Sequence, residues 1–157
     1  VLQAPTVLGA HVLLPVLAPG TGAVTAMRFF LYASSNDGRT WDQPKGVADA
    51  PVAVADVVSA STAYTWTGYQ FNSYAGTPVL GALLVTEDGG AHWTRLGPSG
   101  VLHKLTGEGV SIQVLDFVSP TAGWAITARL DTDEAGPLLY TDDGGRTWRV
   151  VVPRLQP

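Results

Sequence analysis

The chain contains no cysteine, which excludes a disulfide framework and thiol chemistry while leaving the compartment open. Basic residues are scarce too: nine Lys and Arg stand against thirteen Asp and Glu, a formal net charge of −4. Nucleic-acid binding depends on clustered Lys and Arg, so no nucleic-acid partner is expected. His11, His92 and His103 lie far apart with no ligand spacing between them, which argues against zinc. Apolar runs are short and broken by Gly and Pro, so no membrane-spanning helix is expected, and no stretch sustains helical periodicity. What is abundant is turn-formers and large apolar side chains: 18 Gly, 11 Pro and five Trp within a chain that is 46% hydrophobic, the makeup of a turn-rich all-β protein with a buried core.

Three short stretches are variants of one another. They read Ser34-Ser35-Asn36-Asp37-Gly38-Arg39-Thr40-Trp41, Thr86-Glu87-Asp88-Gly89-Gly90-Ala91-His92-Trp93 and Thr141-Asp142-Asp143-Gly144-Gly145-Arg146-Thr147-Trp148. The shared pattern is Ser/Thr, any residue, Asp/Asn, any residue, Gly, two variable positions, Trp. The Trp residues are 52 and 55 positions apart, so the chain reads as an array. Each position has a turn-holding role. Gly supplies positive φ in a hairpin, Asp or Asn accepts backbone N–H bonds, Ser or Thr ties the other side of the loop, and Trp covers the hairpin base. Asn36 stands where the other copies have Asp88 and Asp143, and an amide can hold the same turn without charge.

The pattern resembles the Asp-box, or bacterial neuraminidase repeat, of sialidases, some glucan-degrading glycosidases, sortilin-type receptors and the photosystem II stability/assembly factor family. The resemblance implies a β-propeller and, since such proteins are mostly secreted, periplasmic or lumenal, an extracytoplasmic location. The run Phe117-Val118-Ser119-Pro120-Thr121-Ala122-Gly123-Trp124, followed by the third box, is most similar to the repeats of the assembly-factor group.

A second repeat supports the same architecture. Val54-Ala55-Asp56-Val57-Val58-Ser59-Ala60-Ser61-Thr62-Ala63-Tyr64 aligns with Val114-Leu115-Asp116-Phe117-Val118-Ser119-Pro120-Thr121-Ala122-Gly123-Trp124, each reading as two strands joined by a turn. With the strands flanking each box, a unit becomes a four-stranded antiparallel sheet, the blade of a β-propeller. The expected organisation is a partial blade over 1–48, a blade over 49–100 and a blade over 108–157. In the first, Thr6–Leu17 is expected as one strand and Met27–Ala33 as the strand before the box. Three blades are fewer than closed propellers use, so the chain is expected to belong to a larger propeller of six to eight blades or to close a ring with other copies. It starts at Val1 without an initiator Met or signal peptide, which points to a mature product or a fragment.

Candidate sites follow. Asp56 and Asp116 are a possible acid/base pair of the kind glucan-degrading enzymes use, but they occupy equivalent repeat positions, and repetition favours a structural role such as bonding N–H groups at a strand end. Asp131, Asp133 and Glu134 offer a fragment of a calcium-loop pattern, lacking its downstream Glu, and are expected to form a solvated hairpin tip. Asp56 to Trp93 spans 37 positions against 32 for Asp116 to Trp148. The extra length carries Tyr69, Phe71, Asn72 and Tyr74, a mixture that either packs against the adjacent blade or suits sugar stacking or a protein contact. This loop and the 131–134 loop should share the end of the sheets away from the boxes.

The box residues Ser34, Asn36, Gly38, Trp41, Thr86, Asp88, Gly90, Trp93, Thr141, Asp143, Gly145 and Trp148 are expected to be structural. Sialidases also need an arginine triad and a Tyr/Glu pair, which this chain does not display. The leading expectation is a non-catalytic binding or assembly scaffold, without cofactor, whose partner is a protein, the remainder of its own propeller, a second copy or a glycan. The alternative is a segment of a secreted sialidase-like or glucanase-like glycoside hydrolase.

Overall fold

Side chains alternate across a strand. In Ala63–Thr67 the alternation sends Tyr64 and Trp66 to one face and Ala63, Thr65 and Thr67 to the other, yet all five are buried. Such a strand needs cover on both sides, and it has it. The computed structural model describes residues 4–19, 27–47, 52–68, 70–72, 77–79, 81–97, 99–132 and 134–152 as three four-stranded antiparallel sheets, a two-stranded ribbon and one short helix.

The first sheet runs β1 (Thr6–Leu8), β2 (His11–Pro19), β3 (Met27–Ser34) and β4 (Lys45–Val47), in that order. The second comprises β5 (Val52–Val57), β6 (Ala63–Thr67), β9 (Ala82–Thr86) and β10 (Thr94–Leu96), with the ribbon β7 (Gln70–Asn72) and β8 (Thr77–Val79) inserted between its middle strands. After helix α1 (Gly100–Gly107), the third consists of β11 (Val110–Phe117), β12 (Gly123–Arg129), β13 (Ala135–Thr141) and β14 (Arg149–Val151).

The second and third sheets repeat each other register for register. Asp56, Tyr64, Val85 and Thr94 pair in a row across one, and Asp116, Trp124, Tyr140 and Arg149 across the other. The neighbouring same-face rows are Val54, Trp66, Leu83 and Leu96, matched by Val114, Ile126, Leu138 and Val151. Both first strands carry an irregularity at one place, between Val52 and Val54 and between Ile112 and Val114. Smaller contacts recur as well: the Thr67 hydroxyl donates to Ala82 O at 3.2 Å and the Thr127 hydroxyl to Pro137 O at 2.8 Å.

Two apolar clusters join the layers. Leu13, Phe29 and Leu31 of the first sheet pack with Val57, Ala63 and Leu84 of the second. Tyr64, Trp66, Leu83 and Val85, on the second sheet's other face, pack with Ile112, Leu115, Phe117, Ala125, Leu139 and Trp148 of the third. The middle sheet is thus covered twice. Leu102 of α1 is buried in the second cluster, with Val101 and Leu105 against it. Among the described residues no helix is long and apolar enough to cross a membrane.

Three expectations are corrected. Thr6–Leu17 does not form one strand: the chain reverses at Gly9, whose φ is +63°, and Thr6–Leu8 pairs back onto His11–Leu13. Glycine makes that two-residue turn inexpensive, and the first sheet thereby has four strands rather than a partial set. A helix forms where no helical periodicity was read. It is only eight residues long and depends on Leu102 packing rather than intrinsic propensity. Finally, the stretch read as a 69–74 loop contains strand β7, which pairs with β8.

Candidate interaction surfaces

The three repeated turns use their polar groups alike. Gly38 N–H donates to Ser34 Oγ at 2.9 Å, Gly90 N–H to Thr86 Oγ1 at 2.8 Å and Gly145 N–H to Thr141 Oγ1 at 2.9 Å. Each hydroxyl in turn donates to Oδ1 of the acid or amide, at 3.1 Å for Asn36 and 2.9 Å for Asp88 and Asp143. The same Oδ1 accepts the backbone N–H four residues on, from Thr40 and His92 at 2.9 Å and from Thr147 at 2.8 Å. Asn36 completes its set by donating Nδ2–H to Thr40 Oγ1 at 2.8 Å, where Asp143 accepts the Thr147 hydroxyl at 2.6 Å.

These bonds favour the charged form of the carboxylates. The His92 amide and imidazole hold Asp88 well below the ordinary carboxylate range. Burial works to raise Asp143, but the hydroxyl and amide of Thr147 and the Thr141 hydroxyl outweigh it, and its pKa is lowered. Each turn is also bonded to the hairpin beside it: Asp37 N–H to Ala10 O at 3.0 Å, and Gly89 N–H to Ser61 O and Gly144 N–H to Thr121 O, both at 2.8 Å.

The tryptophans of these turns differ. Trp148 is buried between the second and third sheets, edge-on to Phe117, and its indole N–H donates to Gly145 O at 3.1 Å. Trp93 stands edge-on to Phe29 of the first sheet with centroids 5.6 Å apart. Trp41 lies against the Gly38 turn of its own hairpin, but its other side is exposed, and the described residues supply no sheet there.

Asp56 reaches out of its own sheet. Its Oδ2 accepts the backbone N–H of Phe117, the last residue of β11, at 2.5 Å. Beside it the Tyr64 ring stacks on Phe117 with centroids 3.7 Å apart, and its hydroxyl donates to Pro120 O at 2.6 Å. Burial raises the Asp56 pKa, the Phe117 amide pulls it down and the Asp116 charge adds to the rise. Burial likewise raises Tyr64, with the Glu87 charge adding to the effect. The two carboxylates are therefore near enough to interact, but Asp56 is engaged as a strut between sheets. Its repeat equivalent Asp116 is exposed.

The opposite end of the sheets carries the other candidates. Asp131 is paired with Arg129, whose Nε–H and Nη2–H donate to its two oxygens at 3.1 and 3.0 Å, and the guanidinium lowers its pKa. Glu134 is tied back through its backbone, its carbonyl accepting from Arg129 N–H at 2.9 Å. Asp133 lies outside the described residues, and among those described no group of three or more His, Cys, Asp or Glu side chains is placed to hold a metal. Phe71 and Asn72 lie in the ribbon strand β7, while Tyr69 and Tyr74 fall outside the described residues.

One feature had no distinguishing signal in the sequence. The outer face of the third sheet exposes Val114 and Ile126, flanked by Trp124 edge-on to Tyr140 at 5.1 Å and by Arg149 4.6 Å over the Tyr140 ring. No family model matches this chain, and no curated protein matches it in sequence.

Proposed function

We propose that the chain is a non-catalytic extracytoplasmic scaffold for binding or assembly, built of β-propeller blades of the Asp-box type. The observation that carries this reading is the fate of the repeated polar groups. All three Ser/Thr and Asp/Asn pairs are taken up by their own turns, and Asp56 by a neighbouring backbone amide, which is how structural staples behave. Partner binding belongs on the end away from the turns, where the ribbon containing Phe71 and Asn72 connects β6 to β9, with a protein or a glycan as the ligand class. The test is to present sialosides, β-glucans and glycan arrays to the protein: retention without turnover is expected, and turnover overturns the reading.

A second reading, a segment of a sialidase-like or glucanase-like hydrolase, rests on the raised pKa of Asp56, to which the Asp116 charge contributes. It predicts hydrolysis that Asp116→Asn abolishes in a folded protein.

A further inference from the structure

The second sheet shows how one face of this repeat is normally covered. Its rows Asp56, Tyr64, Val85 and Val54, Trp66, Leu83 lie beneath the third sheet, which supplies the Phe117 ring over Tyr64, the Phe117 N–H to Asp56 and the Trp148 indole. The third sheet repeats those rows with Asp116, Trp124, Tyr140 and Val114, Ile126, Leu138, and among the described residues no further sheet lies over them: Asp116, Val114 and Ile126 are exposed and the other three half-buried. Val114 remains 45% and Ile126 52% exposed, and the two are paired side by side on that face.

The groups that would cover such a face are present on the first sheet, and no other described residues bury them. Ser34, Thr86 and Thr141 pair with Val12, Ala63 and Gly123, which in turn pair with Val7, Val57 and Phe117, so Val7 is the register equivalent of Phe117. Val7 is 64% exposed, and Trp41, the counterpart of Trp148, is 41% exposed. One chain therefore carries an uncovered socket on its third sheet and an uncovered plug on its first, both built like the halves of its own internal interface.

We propose that these two surfaces meet between copies: the outer face of the third sheet docks the first sheet of a second copy, head to tail, with Asp116 accepting a backbone N–H from the partner's β1 and Trp41 of the partner chain covering the Ile126 region. The proposal rests on the scaffold reading and specifies how assembly occurs. A head-to-tail contact closes into a ring when the rotation allows. Two copies bring six four-stranded sheets, a number that closed propellers use.

The experiment is mass measurement of the 157-residue chain across a concentration series, by light scattering and native mass spectrometry. A concentration-dependent species at twice the 16.4 kDa chain mass is expected. Ile126→Lys damages only the socket and Trp41→Ser only the plug. Each alone should weaken self-association by roughly 30-fold or more, the effect of a hot-spot residue, with circular dichroism and Tm near the parent's when both are compared as dilute monomers. Mixing the two variants should restore a dimer through the one interface that both leave intact. A parent chain that stays monomeric at millimolar concentration overturns the proposal, as does a Trp41→Ser variant that dimerises like the parent. The scaffold reading has its own readout: a monomer that still retains a glycan or protein ligand leaves it standing, whereas a dimer that hydrolyses sialosides or glucans overturns it alone.

Discussion

Replacing Asp56 separates a structural carboxylate from a catalytic one. In Asp56→Ala the Phe117 amide loses its acceptor at the boundary between the second and third sheets, where the Tyr64 ring and the rest of the cluster hinder water from replacing it. Hydrogen bonds to charged groups contribute about 1.5–3 kcal/mol. Burying the charge opposes that gain, as the raised pKa of Asp56 records. We therefore expect Asp56→Ala to cost about 2 kcal/mol, a fall in Tm of about 4–8 °C for a chain of this size. Asp56→Asn keeps an acceptor and removes the buried charge, so it should stay within about 1 kcal/mol of the parent. Asp116→Ala, at the exposed equivalent position, should shift the stability of dilute monomer by no more than about 0.5 kcal/mol. The sign of the pH effect follows from linkage. From the unfolded value near 3.8 up to its raised folded pKa, Asp56 holds its proton more tightly when folded, so its stabilising contribution declines as the pH rises through that window. Asp56→Asn lacks this decline and should gain on the parent across it. Asp143, whose pKa is lowered, acts oppositely: its contribution is complete above 3.8 and is lost as the pH falls through its folded pKa. Urea titrations followed by Trp fluorescence at several pH values measure all three variants. Equal stability of Asp56→Ala and Asp116→Ala would refute the strut.

The repeated turns give further expectations for the same titrations. Gly145 has φ +84°, and an added Cβ would sit 2.3 Å from Leu83 Cδ2, so Gly145→Ala should cost about 2–4 kcal/mol through backbone strain and overpacking. Gly38, at φ +78° with Trp41 3.5 Å away, should lose only about 1–2 kcal/mol on the same change, and equal costs would count against the packing argument. Thr141→Val strands the buried Gly145 N–H and should cost about 1–3 kcal/mol; an unchanged urea midpoint would remove the hydroxyl from the account. Tyr64→Phe keeps the stack on Phe117 and removes only the bond to Pro120 O, so a loss of about 1 kcal/mol is expected, and one above about 2 would show that the stack itself had shifted.

The turns were the most legible part of the sequence because their geometry is local. A Ser or Thr, an Asp or Asn and a Gly at fixed spacing bond one another whatever lies around them, and all three copies do so in the same way. The strands of the second and third sheets were legible because Asp56 and Asp116 head aligned segments of alternating polarity. The turn at Gly9 was hidden inside an apolar run, and α1 has too few residues to show a period. Even the strut role of Asp56 was legible only as a type, since its acceptor bond is made 61 positions away. The exposed face of the third sheet could not be read at all: Val114 and Ile126 match Val54 and Trp66 in pattern, and only the presence of a covering sheet distinguishes them.

The three turn tryptophans carry that point further. They hold one position in near-identical turns, and a residue needed only to close its own hairpin would be buried alike in all three. Instead Trp148 is buried against the second sheet, Trp93 stands against Phe29 of the first, and Trp41 is exposed. Trp148 satisfies its indole N–H on Gly145 O, while the Trp93 N–H is buried without a partner among the described residues, so even the polar end of the ring is served differently. The order follows position in the array, since each tryptophan reaches back to the sheet before its own. In a repeat protein much of the stability resides in such neighbour contacts rather than within units. The tryptophan is therefore an inter-sheet contact that the turn presents, and an exposed copy is what a first sheet would carry if another sheet were to cover it.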